Sequence, residues 1–400
     1  MKNFVILAVC VGFYCLVGIV TMIAYQSISS LMAMGGVGSD VIGWFVYCIS
    51  VPWGVRFLYA SFVEGWRKQS VLKLQVILAS SVTLATLSLL VMVFFDPISH
   101  LFVLFVVVFV GNAALCCGDI ALSGVVIDEL KDSLKPYANG SRVIFSALAP
   151  VISGWMFFKI LSASNASNAF FVVFVLAILF ALPAFFLFKA KFGAKYGTHN
   201  AHHKPSLKNF FANKNLRNTF FLLLFAQSPT SLWIFFGGAF LSAMGLSPEE
   251  IGATFGVYGV IASVSGGVLA SRLCASFDAS KIFRLVLLIE ACLSVLLFFV
   301  SDGAVSHTSV MIVFCFSSFL INFKFVTLCT LAMGYAKGDQ SGVNFSVMIA
   351  CSELFATILS VIGGYIIVLG WGYLFGICFI LAILAFVVFR WRSLWLLDSV

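Results

Sequence analysis

The chain has 400 residues, of which 62% are hydrophobic, 10% are charged and 45 are Phe. An average soluble domain is about 25% charged, and no water-soluble fold of this length can hide so much apolar surface, so the composition excludes a soluble enzyme and points to a polytopic membrane protein. The net charge of +8 is not a nucleic-acid signal, because the cations are sorted by side rather than gathered on one patch.

A membrane span needs about 20 apolar residues. In chain order, such runs predict helices over 4–33, 40–63, 71–94, 101–128, 141–161 and 168–188. A second set is predicted over 217–243, 249–272, 282–300, 309–335, 343–368 and 372–390. The first run follows Met1, Lys2 and Asn3; it is too long for a signal-peptide core and no Ala-x-Ala site follows, so it is expected to be a retained span. The expectation is an all-α polytopic membrane protein with twelve transmembrane helices in two six-helix halves. The N-terminal bundle is 1–188, a basic linker 189–216, the C-terminal bundle 217–390 and a tail 391–400.

The cations set the orientation. Lys2, Arg67, Lys68, Lys73, Lys131, Lys135, Arg142, Arg272, Lys281, Arg284, Lys337, Arg390 and Arg392 fall on one side of the predicted spans. The stretch from Lys189 to Arg217 falls there too, with seven Lys or Arg and no acid. By the positive-inside rule that side is cytoplasmic, which places both termini of this multi-pass chain inside. The linker reads as a solvated tether that touches anionic lipid, in preference to any catalytic use of His199, His202 and His203.

The halves resemble each other weakly: SDVIG at 39–43 opens span two and SPEEIG at 247–252 opens span eight. Duplicated six-helix halves joined by a long basic linker are a transporter layout.

Charges at bilayer depth are rare without a partner or a wet cavity. Arg56 in VPWGVRFLYA lies about 16 residues into span two, and Asp119 lies about 18 into span four. At 1.5 Å per residue the two reach similar depth, so an Arg56–Asp119 ion pair is expected, as a staple or as part of a solute site. In the second half Lys324 has two candidate acids, Glu290 and Glu353, and Glu290 has the alternative of facing the headgroups. An acid left over at that depth would hold its proton near neutral pH, as a proton-coupled carrier needs, so Glu353 and Glu290 are the candidate proton sites. Asn112 shares a helix face with Asp119, seven residues away. Gln26, Gln227 and Asn322 are further polar residues in apolar helices, each able to line a site or to bond a neighbouring helix. Glu64, Arg67, Asp128 and Arg142 are expected at the cytoplasmic ends, as loop and gate residues.

VPWGVRFLYASFVE at 51–64 resembles the span-two pattern P-W-x-[LV]-[KR]-F-L-W-[AS]-P-x-x-D of AmpG-like members of the major facilitator superfamily. GDIALSGVVIDEL, YANGSRVIFSALAPVISGW and QSGVNFSVMIACSEL resemble that branch's fourth, fifth and eleventh helices. Within it, the compact siderophore importers of the RhtX/FptX type are the most similar. The resemblance implies uptake of an iron-loaded siderophore across the inner membrane, with Arg56 and Asp119 in the charged positions of spans two and four. Ser61, Glu64 and Gly65 depart from the usual Pro, Asp and Arg, and the loop motif between spans two and three is reduced to FVEGWRKQ.

Together these predict a secondary transporter that binds an anionic, siderophore-like solute through Arg56, Asp119, Lys324 and Glu353 and alternates its access. Muropeptides of the AmpG type, or other organic anions, are the alternative cargo. A membrane enzyme or sensor is disfavoured by the lack of a nucleophile elbow, of His-x-x-x-His and of paired metal ligands. No cofactor, metal or nucleic-acid partner is expected; the partners are a small-molecule solute, protons and membrane lipid.

Overall fold

The computed structural model describes residues 2–95, 99–185, 204–302 and 305–397. All regular structure among them is helical. Helices close every backbone hydrogen bond within one segment, the requirement that hydrocarbon surroundings impose. Among the described residues ten helices are long and apolar enough to cross a membrane, or up to twelve if each of two bent pairs is one span.

The first segment is α1 (Lys2–Met22), a π-helical turn (Ile23–Ile28) and α2 (Ser29–Met34). The second is α3 (Ser39–Gly54) and α4 (Arg56–Gln69), followed by α5 (Val71–Phe94) and α6 (Leu101–Glu129). The fifth is α7 (Lys135–Pro150), a π-helical turn (Val151–Met156) and α8 (Phe157–Ala163); α9 (Ala166–Phe185) is the sixth. The short α10 (Leu207–Ala212) precedes α11 (Lys214–Trp233) and α12 (Gly237–Ala243), the second bent pair. Then come α13 (Pro248–Ala253) and α14 (Gly259–Ser276) around a π-helical turn (Thr254–Tyr258), α15 (Ala279–Ser301), α16 (His307–Tyr335), α17 (Ser341–Leu369) and α18 (Trp371–Leu397). Residues 186–203, which include linker positions 189–203 with His199, His202 and His203, lie outside the described residues.

Side-chain caps start several helices. Ser70 Oγ accepts from the Lys73 amide at 3.2 Å, Asn213 Oδ1 from Asn215 and Leu216, and Asp278 Oδ1 from Ser280. Ser247 and Glu250 form a reciprocal capping box at α13. These caps satisfy amides that have no partner within the helix.

The break between α3 and α4 has a local cause. Pro52 has no N–H to donate and strains the turn around it, and the two pieces meet at Val55 with a bend of 44°. The Pro52 carbonyl accepts from the Tyr59 hydroxyl at 2.6 Å. Arg56 is thereby the first residue of α4.

The chain divides into two compact units, Met1–Phe210 with Ala336–Ala350, and Phe211–Tyr335 with Cys351–Val400. The start of α17 thus groups with the first unit. In the first unit α1 packs on α7 and α9, and α5 on α6 and α9. In the second, α14 packs on α16, and α18 on α15 and α11. Gly118 shows how tight the first unit is: a Cβ there would stand 2.7 Å from the ring of Phe13 and 2.9 Å from Ser81. Only a hydrogen lets α6 seat between α1 and α5.

Candidate functional site

The first unit holds a buried charge cluster built by four segments. α4 supplies Arg56, α6 supplies Asp119 and Ser123, α7 supplies Arg142, and α1 supplies Tyr14. Arg56 Nη1 donates to Asp119 Oδ2 at 2.7 Å, with both side chains almost wholly buried. Arg142 Nη2 donates to the other carboxylate oxygen, Oδ1, at 2.5 Å, to Tyr14 Oη at 2.8 Å and to Ser123 Oγ at 3.1 Å. The Arg142 guanidinium also lies over the rings of Tyr14, at 4.9 Å, and Phe345, at 5.4 Å. Arg56 lies 5.9 Å from the centre of the Trp53 ring. Trp53 Nε1 in turn donates to Asn112 Oδ1 at 3.1 Å, while the Asn112 amide donates back to the Val108 carbonyl.

Two guanidiniums therefore share one carboxylate. Cation–π contacts with Trp53, Tyr14 and Phe345 add to the guanidiniums' partners.

Arg142 was expected among the loop and gate residues, and its side chain instead joins Asp119. The reason is where its helix begins. α7 starts at Lys135 rather than near 141, so Arg142 stands seven residues inside, about 10 Å from the helix start. Tyr14 and Trp53 were not singled out from the sequence, since one aromatic among so many carries no signal.

A second cluster lies at the basic ends of the same unit. Arg67 is completely buried and donates to both Glu64 carboxylate oxygens, at 2.9 and 2.6 Å, and to Asp128 Oδ2 at 2.8 Å. Ser341 Oγ donates to Asp128 Oδ1 at 2.7 Å and lies 3.3 Å from Arg67 Nη2. Lys68 donates to the Gly338 and Asp339 carbonyls, and Lys337 pairs with Asp132 at 2.9 Å. Gly124 leaves room for the guanidinium, since a Cβ there would be 2.6 Å from Arg67 Cζ. Glu64, Arg67 and Asp128 thus converge although the loop motif between spans two and three is degraded.

The second unit has its own buried pair. Lys324 Nζ donates to Glu290 Oε1 at 2.8 Å and Oε2 at 2.6 Å, and lies 3.1 Å from Thr230 Oγ1. The Thr230 hydroxyl donates to Glu290. Of the two candidate acids it is Glu290, buried, that meets Lys324; Glu353 is half-buried on α17 and outside that pair. The cavity beside the pair, lined by Thr230, Trp233, Glu290, Leu320 and Lys324 among others, measures about 10 Å³, at the lower limit for one water. Asn322 donates to the Ser318 carbonyl of its own helix at 2.8 Å. Gln227 Oε1 is buried with no hydrogen-bond partner among the described residues. The Gln26 side chain lies outside the described set. Among the described residues no three His, Cys, Asp or Glu side chains form a metal-sized group.

Solved structures that match nearly the whole chain include three transporters. The E. coli fucose:proton symporter FucP aligns with a TM-score of 0.73 at 12% identity, over 98% of each chain. A bacterial homologue of the iron transporter ferroportin, in an outward-facing state, aligns with a TM-score of 0.65 at 17% identity, over 96% of this chain and 99% of its own. The human organic anion transporter MFSD10 aligns with a TM-score of 0.68 at 13% identity, over 97% and 99%.

The fold is the major facilitator fold. Its twelve-helix plan accounts for the two bent pairs, each of which counts as one span. The proteins that share the major facilitator fold here are transporters rather than enzymes. No family model matches the sequence, and no curated protein matches it.

Proposed function

We propose that the chain is a secondary carrier that imports an anionic organic solute by alternating access, with a siderophore or iron–siderophore complex as the favoured cargo. The observation that carries this reading is the Asp119 carboxylate held between Arg56 and Arg142. Two guanidiniums gathered on one carboxylate suit a visiting carboxylate, hydroxamate or catecholate group. The major facilitator fold supports a carrier, and the motif resemblance of spans two, four, five and eleven supports a siderophore. The organic anion and iron transporters among the similar structures are compatible with both. Muropeptides, which also carry carboxylates, are the alternative.

In this reading Arg56, Arg142 and Asp119 hold the anion, with Asn112 orienting Trp53 beside them. Lys324 and Glu290 form the second-half charge pair. Glu353, a carboxylate at membrane depth outside that pair, is the proposed proton site, in keeping with the proton symporter among the similar structures. Glu64, Arg67 and Asp128 act at the gate. The domains run as 1–188, linker 189–216, 217–390 and tail 391–400, and the basic ends, with both termini, face the cytoplasm of a bacterial inner membrane.

The test is uptake into cells lacking the gene and into vesicles containing the purified chain, with a panel of labelled iron–siderophores beside labelled muropeptide. Saturable siderophore uptake supports the reading. Uptake of muropeptide alone replaces the cargo, and uptake of neither removes it.

A further inference from the structure

Away from the charge clusters, the second unit carries a large apolar groove. It is open, about 440 Å³, and lies between α14, α15 and α16. Its floor is the ring ladder of α16, Phe316, Phe319 and Phe323, with successive centroids 6.1 and 6.0 Å apart. α14 and α15 both pack on α16 and only slightly on each other. Gly266 fixes one side of this arrangement, since a Cβ there would be 2.3 Å from the Phe319 carbonyl oxygen. α14 is thus drawn onto the backbone of α16, and the space left against α15 is the groove.

One lining residue is charged, Lys281, and it sits at the end where α15 begins. Its ammonium has no ion-pair or hydrogen-bond partner among the described residues, nor does the guanidinium of Arg272, one residue before the lining Leu273. Arg284 lies one turn further along α15. The nearby carboxylate, Asp278, caps α15 through the Ser280 amide. The mouth is therefore net cationic, and the rest of the recess is hydrocarbon and aromatic. From Lys281 to Ile289 the groove follows α15 for about 12 Å, close to the roughly 15 Å of hydrocarbon in one leaflet.

We propose that this groove binds one anionic phospholipid from the leaflet at the basic ends, with the phosphate at Lys281 and Arg272 and an acyl chain along the Phe316–Phe323 floor. Charge complementarity selects this occupant: a zwitterionic lipid satisfies the apolar floor but leaves the two cations unanswered. The lipid also bears on the transport machinery. Leu320 lines both this groove and the small cavity beside Lys324 and Glu290. An acyl chain in the groove thereby backs the wall on which that ion pair rests. The site does not depend on which solute is carried.

Native mass spectrometry of the full purified chain, titrated with phosphatidylglycerol or with phosphatidylcholine of identical acyl composition, tests this. The expected result is one phosphatidylglycerol retained under conditions that strip phosphatidylcholine. Lys281→Glu should weaken that retention about fivefold or more. Leu285→Trp, which fills the groove from a lipid-facing position, should abolish it while gel filtration and helicity stay as in the parent. Equal retention of the two lipids, or no effect of Lys281→Glu, overturns the proposal. So does a dimer that Leu285→Trp dissolves, because a second copy of the chain would then occupy the groove. If either variant misfolds, Lys281→Gln and the parent chain's preference between the two lipids still decide it.

Discussion

Asp119 accepts from a different arginine on each oxygen, and the three possible deletions are not equivalent. Removing Asp119 charge leaves two guanidiniums side by side in a buried site, whereas removing Arg142 leaves a neutral Arg56–Asp119 pair. Asp119→Asn should therefore destabilise the fold by about 3–5 kcal/mol, and Arg142→Ala by clearly less, while both abolish high-affinity uptake. Thermal unfolding in detergent alongside the KM for uptake separates the two effects; equal destabilisation would contradict the inequivalence of the two changes. In the second unit the sign logic is simpler. Glu290→Ala strands Lys324, and Lys324→Ala strands Glu290, so each single change should cost more stability than the double change Glu290→Ala with Lys324→Ala. A double variant less stable than both singles would contradict the pair's isolation, and restored stability without restored uptake would assign the charges to transport rather than to folding.

At the scale of single elements, what the sequence made readable depended on whether a helix start was marked. The Arg56–Asp119 contact could be anticipated because spans two and four are long, and counting residues along them gives depth. Arg142 could not, because the charged turn around Lys131, Asp132 and Lys135 hides where α7 begins, and a start six residues late moves a buried arginine to the rim. Glu290 was ambiguous for the same reason: α15 begins at Ala279 rather than 282, which sets the carboxylate further along its helix. Thr230 carried no signal among the other small residues of SPTSLW. The Arg67 contacts with Ser341 join residues 274 positions apart, and a single sequence does not announce such pairing. The same element yields a prediction. Gly124 faces the Arg67 guanidinium, so Gly124→Leu should push Arg67 off Asp128 and reduce uptake at least tenfold, whereas Gly65→Ala, with open space around it, should change uptake little. Uptake rates of the two variants at matched expression decide this.

For the molecule as a whole, α17 is the unusual member, because the contact pattern assigns it to the first unit as far as Ala350 and to the second from Cys351. Asp128, Ser341 and Arg67 hold its start, with Gln340 reaching Ser206 in both directions: its oxygen accepts from the Ser206 amide at 2.9 Å and its amide donates to the Ser206 carbonyl at 3.2 Å. Asp128→Asn should accelerate amide hydrogen exchange over residues 336–350 and leave 355–369 unchanged; uniform acceleration of both would show that the Asp128 contact is not local to that segment. Coupling is a property of this scale too. Uptake into vesicles should rise several-fold with an inward proton gradient, and Glu353→Gln should remove that stimulation while leaving exchange of labelled for unlabelled solute; identical rates with and without the gradient would eliminate protons as the driving ion.

Val55 is the sole residue between the rods of α3 and α4, and the Tyr59 hydroxyl is fastened across it to the Pro52 carbonyl. Rotating α4 by one residue's worth, about 100°, would swing the Arg56 guanidinium out of reach of Asp119 yet leave Trp53 docked on Asn112. A swivel of that kind would hand Asp119 entirely to Arg142 and set loose whatever anion the pair of arginines had been sharing, with no other helix obliged to bend.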